Sequence, residues 1–243
     1  MKKIIIIYTF IAGFAMSASA GVPGYMGHRF SLQYQFGISP QWDDFNSSTL
    51  PYLFHTVQAG YVVSRRHEIG MQYTRTDFTN NQFGSSISLS DGSSSIMDNK
   101  KYSGNNVMAY IKFFKPGRGF IAPLGAFIQF GIGYQYYNEL AHVSPYESGT
   151  NGTGVPHYYR INSNDMYLGV GFGRNYIVAD RLILNIEIDL NLPVTALARA
   201  FPITNLGDGT DTDVTSYLKK QNATDVLLNN IIHIKLGIGG LLF

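Results

Sequence analysis

Every second residue from Phe30 to Ile38 is apolar (Phe30, Leu32, Tyr34, Phe36, Ile38), and Ser31, Gln33, Gln35 and Gly37 stand between them. A period of two places the two sets on opposite faces of a β-strand. The pattern returns in Leu124, Ala126, Ile128, Phe130, Ile132, Tyr134 and Tyr136, alternating with Gly125, Gln129, Gly131, Gly133 and Gln135. It returns again from Leu182 to Leu192, where Asn185, Glu187, Asp189 and Asn191 fill the other file. Along the chain this predicts eight strands, near residues 27–38, 52–63, 67–78, 105–114, 120–138, 164–177, 181–192 and 226–242. Helical periodicity is weak throughout.

The connections alternate in length. Ser64-Arg65-Arg66, Lys115 to Gly119 and Ala179-Asp180 are short and polar, whereas 39–51, 79–104, 139–163 and 193–225 are long and rich in Ser, Thr, Asn, Gly and Asp. Short turns at one end and long loops at the other are the habit of an outer-membrane barrel, whose turns are periplasmic and whose loops are extracellular. The expected fold is therefore all-β: an eight-stranded antiparallel up-and-down barrel that spans the membrane. The even strand count puts both termini in the periplasm and the long loops outside.

The content of the two faces sets which one meets lipid. The apolar file is bulky and almost free of charge, and the other carries Gly, Gln, Asn and isolated ions. Files of small residues (Gly169, Gly171, Gly173; Gly131, Gly133; Gly237, Gly239) suit a crowded, narrow interior. Apolar-out is the arrangement of a membrane barrel and the reverse of a soluble one. Tyr52, Tyr61, Tyr136, Tyr137, Tyr167 and Tyr176, near strand ends, are expected in interfacial girdles.

The N-terminus changes the compartment and the charge. Lys2 and Lys3 precede an apolar stretch from Ile4 to Phe14, and Ala18-Ser19-Ala20 offers a small-x-small cleavage pattern before Gly21. Residues 1–20 therefore read as a secretory signal peptide, and 21–243 as one barrel domain. The apolar stretch is shorter than the roughly 20 residues of a membrane helix. The whole chain carries 18 Lys+Arg against 16 Asp+Glu, and the signal holds two of the lysines and no acid. The mature chain is thus 16 against 16, which removes any electrostatic case for nucleic acid. There is no cysteine, so neither a lipoprotein anchor nor a disulfide is open to it.

With these features the chain resembles the small eight-stranded outer-membrane barrels of the OmpX, OmpW and OmpA-barrel kind. Its Tyr- and Gly-rich strands and Gly24-Tyr25-Met26-Gly27 resemble the barrels of Bacteroidetes-type bacteria. Phe243 matches the terminal aromatic by which such proteins are read by the barrel-assembly machinery. The alternation behind it is broken: Leu241 is preceded by Gly239, Gly237 and Lys235, and Ile232, Ile234, Leu236 and Ile238 run in the other parity. A bulge near Gly239-Gly240, or a variant signal, is expected there. The resemblance implies contact with outer-membrane lipid and lipopolysaccharide, and with other outer-membrane proteins.

By parity, Arg29, Lys112 and Lys235 should face inward with Glu68, Glu187 and Asp189, three of each sign. Strands seven and eight are neighbours, so Glu187 and Asp189 should meet Lys235 and His233, and strand closure should bring Arg29 near. Charges at that depth must be paired or hydrated. A proton or ion path is one reading; a salt-bridge core filling a narrow barrel is the favoured one.

The remaining histidines (His28, His55, His67, His142, His157) make neither a convincing metal-ligand spacing nor the His-x-Ser-Asn pattern of lipid A deacylases. No enzyme, metal or cofactor is expected. The leading function is a surface-binding protein or an accessory subunit of an outer-membrane complex. The alternatives are an OmpW-like conduit for small apolar molecules and a lipid A-modifying enzyme. Two features belong to the outer loops: Asp91-Gly92 as a hairpin turn crowning a ribbon, and a short helix over Val214 to Gln221.

Overall fold

The computed structural model describes residues 28–40, 51–80, 85–88, 94–115, 122–146, 157–178, 181–194 and 231–242. Nine strands lie among them: β1 (Phe30–Ser39), β2 (Tyr52–Ser64), β3 (His67–Asn80), β4 (Ser85–Ser88), β5 (Ser94–Phe114), β6 (Gly125–Tyr146), β7 (His157–Val178), β8 (Leu182–Pro193) and β9 (Ile232–Leu242). Every pairing is antiparallel. β1, β2, β3, β5, β6, β7, β8 and β9 pair in that order, and β9 returns to β1, so eight strands close a barrel and no edge is left at its waist. β4 stands outside this ring as a short partner to the upper end of β5.

The registers fix the barrel's shape. Starting at Ala126 on β6, the Cα partners run Arg174, Ile186, Leu236, Phe36, His55, Arg75 and Asn105, and the row comes back to β6 at Tyr136. The circuit gains ten residues, from 126 to 136. Eight strands with that stagger tilt about 40° from the barrel axis and enclose a bore only wide enough for side chains.

What fills the bore follows from the pleat. In β8 the burial alternates without exception from Ile183 to Pro193. Inward glycines stand opposite bulky neighbours. A Cβ on Gly37 would fall inside the Phe54 ring, and one on Gly133 inside the Tyr167 ring. Each glycine thus makes the room that an aromatic side chain on the next strand occupies. Gly37→Val is expected to lower stability by about 1–3 kcal/mol through overpacking, measured by urea titration of the barrel refolded into vesicles.

The ends of the barrel differ. β5, β6 and β7 have 21, 22 and 22 residues, against 10 to 13 for β1, β2, β8 and β9. The long strands run past the rim and, with β4, form a raised sheet on one side. The segment near 139–163, read from sequence as loop, is therefore strand at both its ends, and 94–104 is the strand continuation expected of a ribbon. The reason is physical: beyond the membrane neither face of a strand meets lipid, so the bulky apolar file that marks a strand within it is lost. The register Ser88↔Ser94 gives the ribbon expected around Asp91-Gly92, although those two residues, like Val214 to Gln221, lie outside the described part.

The bulge expected near Gly239-Gly240 is absent. β9 pairs with β1 without a register break from Ile234 to Leu242, and with β8 from Ile232 to Gly240. Leu242 is exposed in the same file as Ile234, Leu236 and Ile238, and Phe243 lies outside the described residues.

Candidate functional site

The polar lumen is the densest chemistry in the molecule. β8 and β9 place Glu187 opposite Lys235 and Asp189 opposite His233, and β3 and β5 place Glu68 opposite Lys112. Across the bore these pairs converge. Lys112 Nζ is 3.3 Å from Glu187 Oε2, and Lys235 Nζ is 3.3 Å from Glu187 Oε1. Lys235 also bonds to Asp189. Glu187 is therefore shared between two ammonium groups, one on each wall. All of these side chains are withdrawn from solvent.

Neutral partners complete the shell. Lys112 donates to Gln58 Oε1 at 2.8 Å and Lys235 to Gln72 Oε1 at 3.0 Å. Gln58 Nε2 donates onward to Gln72 Oε1 and Gln129 Oε1, both at 3.3 Å. Gln35 donates to Asn185 Oδ1 at 3.0 Å, and Asn185 to Asn175 Oδ1 at 2.6 Å. Glu68, opposite Lys112, accepts from the Tyr110 hydroxyl at 3.1 Å and from Ser31 Oγ at 3.4 Å. Lys112 also lies 4.2 Å from the centroid of the Phe127 ring, a cation–π contact in a desolvated place.

Below this layer Val62, Phe114, Ala122 and Phe127 form an apolar plug at the short-turn end. Above it Met108, Tyr110 and Tyr167 pack together, and Tyr167 donates to Asn106. His233 packs against Phe54 at 4.5 Å between centroids, with Asn191 at 3.1 Å from its Nδ1 and the Tyr52 hydroxyl at 3.4 Å from its Nε2.

The structure thus brings together Glu187, Asp189, Lys235, His233 and Lys112, with Glu68 one contact away. It does not bring Arg29 to them. Arg29 has the inward parity but precedes β1, half-buried at the end where Phe30 pairs with Leu242, six residues from Gln35. The expected balance of three charges of each sign is corrected accordingly: the described cluster holds Glu68, Glu187 and Asp189 against Lys112 and Lys235. Gln35, Gln58, Gln72 and Tyr110 were not singled out from sequence. Their signal was parity: Gln72 shares a file with Glu68 and Tyr110 with Lys112, and Gln35 and Gln58 have the inward parity of β1 and β2.

Three tyrosines expected in girdles are also corrected. Tyr52, Tyr137 and Tyr167 are 4%, 2% and 1% exposed, inside the bore, because each has the parity of an inward neighbour (Phe54, Gln135, Asp165). Tyr136 and Tyr176 do face outward, and Tyr61 is half-buried.

The outer wall is the complement of the lumen. Leu32, Phe36, Ile128, Phe130, Ile132, Leu168, Phe172, Ile186, Ile188, Leu236 and Ile238 are all exposed, with Leu236 at 60% and Ile132 at 51%. A belt of this extent in water would be an aggregation surface. With the eight strands paired in a closed ring, it is a wall built for lipid. This is a transmembrane barrel.

No family model matches the chain, and no curated protein matches it. Among solved structures it is similar to Ail, the attachment invasion locus protein of Yersinia pestis, in complex with the heparin analogue sucrose octasulfate, at 8% identity. That match covers 88% of this chain and 97% of the other, with a TM-score of 0.44. It is also similar to Neisserial surface protein A (12% identity; 90% and 100% covered; TM-score 0.38) and to CarO of Acinetobacter baumannii (10%; 90% and 100%; 0.41). The strand count and closure stand on the registers of the chain itself.

Chemically the lumen offers a buried, cross-linked ion cluster capped by aromatic side chains. Among the described residues no group of three or more His, Asp or Glu side chains is placed to hold a metal. Ser64 Oγ and His67 Nδ1 lie 2.6 Å apart at the β2–β3 turn, but the same hydroxyl accepts from Arg66 N, which makes the pair a turn clasp. The side chains of His142 and His157 lie outside the described part.

Proposed function

We propose that the protein is a non-enzymatic barrel of the bacterial outer membrane, inserted by the barrel-assembly machinery after residues 1–20 are removed. It has a filled interior and acts through what it presents outside, as a surface-binding protein or an accessory subunit of an outer-membrane complex. Lipopolysaccharide and neighbouring membrane proteins are the partners this position offers.

The observation that carries the reading is the raised sheet. β5, β6 and β7 keep pairing well beyond the rim, up to Ser94↔Tyr146 and Val143↔His157, whereas β7 meets β8 only from Tyr167 onward. Together with β4 these strands raise a sheet above the membrane, where a partner can reach it. A lumen crosslinked by Glu187 offers cargo no such surface.

The test is a gentle-detergent pull-down with the full mature chain and with a variant in which residues 81–98 are replaced by a two-residue turn. A partner retained by the first and lost by the second is the expected result. Recovery of the barrel alone in both cases contradicts the reading. In planar bilayers the barrel is expected to show no steady conductance; channels that vanish on substituting Gln58 or Gln72 would instead establish a conduit.

A further inference from the structure

His55 on β2, and Arg75 with Asp77 beyond it on β3, break the lipid-facing file of these strands. His55 stands between Leu53 (51% exposed) and Val57 (44% exposed), with Phe36 beside it, and is itself exposed. Arg75 is its Cα partner on β3, and Asn105 is the partner of Arg75 on β5. The same row reaches Tyr136 one strand later. With the barrel's tilt each step along the row climbs about 3 Å, which sets Arg75 about 6 Å and His55 about 9 Å below the level of Tyr136. The site is at the long-loop end, where Asp77 and Asn80 close β3. Charged and polar side chains on a lipid-facing wall are costly, so they mark a function or a partner.

The three side chains are held in place and turned to donate. Arg75 forks onto Asp77 (Nε–Oδ2 and Nη2–Oδ1, both 2.9 Å), and reaches Ser103 Oγ at 2.8 Å and Asn105 Oδ1 at 3.0 Å. Tyr73 also donates to Asn105 Oδ1, at 2.6 Å. Asn105 Oδ1 therefore already accepts two bonds and its amide donors remain available. The Tyr34 hydroxyl lies 2.5 Å from His55 Nδ1. Phenol is the better donor and imidazole nitrogen the better acceptor, so Tyr34 donates and the His55 proton sits on Nε2. Among the described residues the unused donors of this cluster are His55 Nε2–H, one Arg75 Nη1–H and the Asn105 amide, and the Asp77 carboxylate, which already accepts two bonds from Arg75, is the acidic group beside them.

Beneath it, on the same strands, the wall is hollow. Ala59, Met71 and Ala109 are Cα partners four residues down each strand, about 13 Å away. They begin a recess of about 540 Å³ continued by Tyr61, Ile69 and Phe30. Alanines at 59 and 109 take the place of the bulky residues that fill the rest of the belt.

We propose that this face holds one phosphorylated glycolipid of the outer leaflet: its phosphate on His55, Arg75 and Asn105, and an acyl chain entering the recess between Ala59 and Ala109. Three unused donors at headgroup depth favour an acceptor-rich group such as phosphate, with Asp77 holding the Arg75 guanidinium in place beside it, and the recess below selects a chain rather than a free phosphate. This rests on the outer-membrane placement proposed above.

The experiment is native mass spectrometry of the full mature barrel in detergent, titrated with bisphosphorylated lipid A and with the same lipid enzymatically dephosphorylated. Retention of the phosphorylated form at least tenfold better than the dephosphorylated one is expected. Arg75→Gln and His55→Phe should each weaken it by about ten- to hundredfold, the effect of one charge-assisted hydrogen bond. Ala109→Phe, which fills the recess without touching the polar cluster, should weaken both lipids. Heat-modifiable gel migration reports folding of each variant, and outer-membrane fractionation reports placement independently of lipid. Equal retention of the two lipids, or variants that fold and bind as the parent does, would overturn the proposal. So would loss of a co-purifying membrane protein in Arg75→Gln with lipid retention unchanged, which would assign the face to a protein partner.

Discussion

Replacing Glu187 with leucine is expected to destabilise the folded barrel by about 3–5 kcal/mol, the largest effect of any single change in the lumen. The magnitude follows from what the carboxylate holds. Its two oxygens are each 3.3 Å from a lysine, Lys112 on β5 and Lys235 on β9, and all three side chains are cut off from water. Removing it leaves Lys235 with Asp189 and Gln72, whereas Lys112 keeps only Gln58 as a close acceptor. A buried ammonium that has lost its bonded carboxylate, with Glu68 opposite it but not bonded to it, is the costly outcome. Adding Lys112→Met to Glu187→Leu removes that stranded charge, so the double variant should be less destabilised than the sum of the two single ones. Urea titrations of barrels refolded into vesicles, followed by gel mobility, measure all three. Additive losses would mean that Lys112 and Glu187 are not coupled.

The second large effect lies on the other face of the sheet. Ile132 is 51% exposed near the middle of β6, between Phe130 and Tyr134 in the lipid-facing file. Ile132→Arg should cost about 2–4 kcal/mol, the depth-dependent penalty of a cation at the bilayer midplane. The same substitution at Asn162, exposed on β7 above the rim, should be nearly neutral. The contrast separates a lipid-facing wall from a water-facing one, because in water both positions would accept arginine readily. Comparable tolerance at the two sites, read from the same titrations, would contradict the membrane assignment.

Within the membrane the strands were legible in the sequence because lipid and lumen impose opposite chemistry on alternate residues. The period of two from Phe30 to Ile38 and from Leu182 to Leu192 is that constraint written out, and it led to the inward placement of Glu187, Asp189, Lys235 and Lys112. Where the constraint ends, so does the signal. Glu139 to Tyr146 is strand in β6 yet reads as loop, since neither of its faces has lipid to meet. Tyr137 and Tyr167 were misassigned when their aromatic character was weighed ahead of their parity, although Gly104 and Gly133 opposite them already announced the space they fill. Arg29 shows the converse error: parity alone does not say how far along the axis a residue sits, and that needed the register. His55 and Arg75 were visible as polar interruptions of an apolar file, but only the row through Asn105 shows that they form one cluster.

The central claim is that the sheet is inside out, with its apolar face toward lipid. The chain has no cysteine, so spin labels can be attached at single introduced cysteines along β6 from Ile128 to Tyr134 in the barrel reconstituted into vesicles. Collision with oxygen, which partitions into lipid, should peak at 128, 130, 132 and 134 and fall at the residues between. Collision with a water-soluble nickel chelate should stay low at those four positions. The reverse pattern, with the chelate reaching 128, 130, 132 and 134, would contradict it.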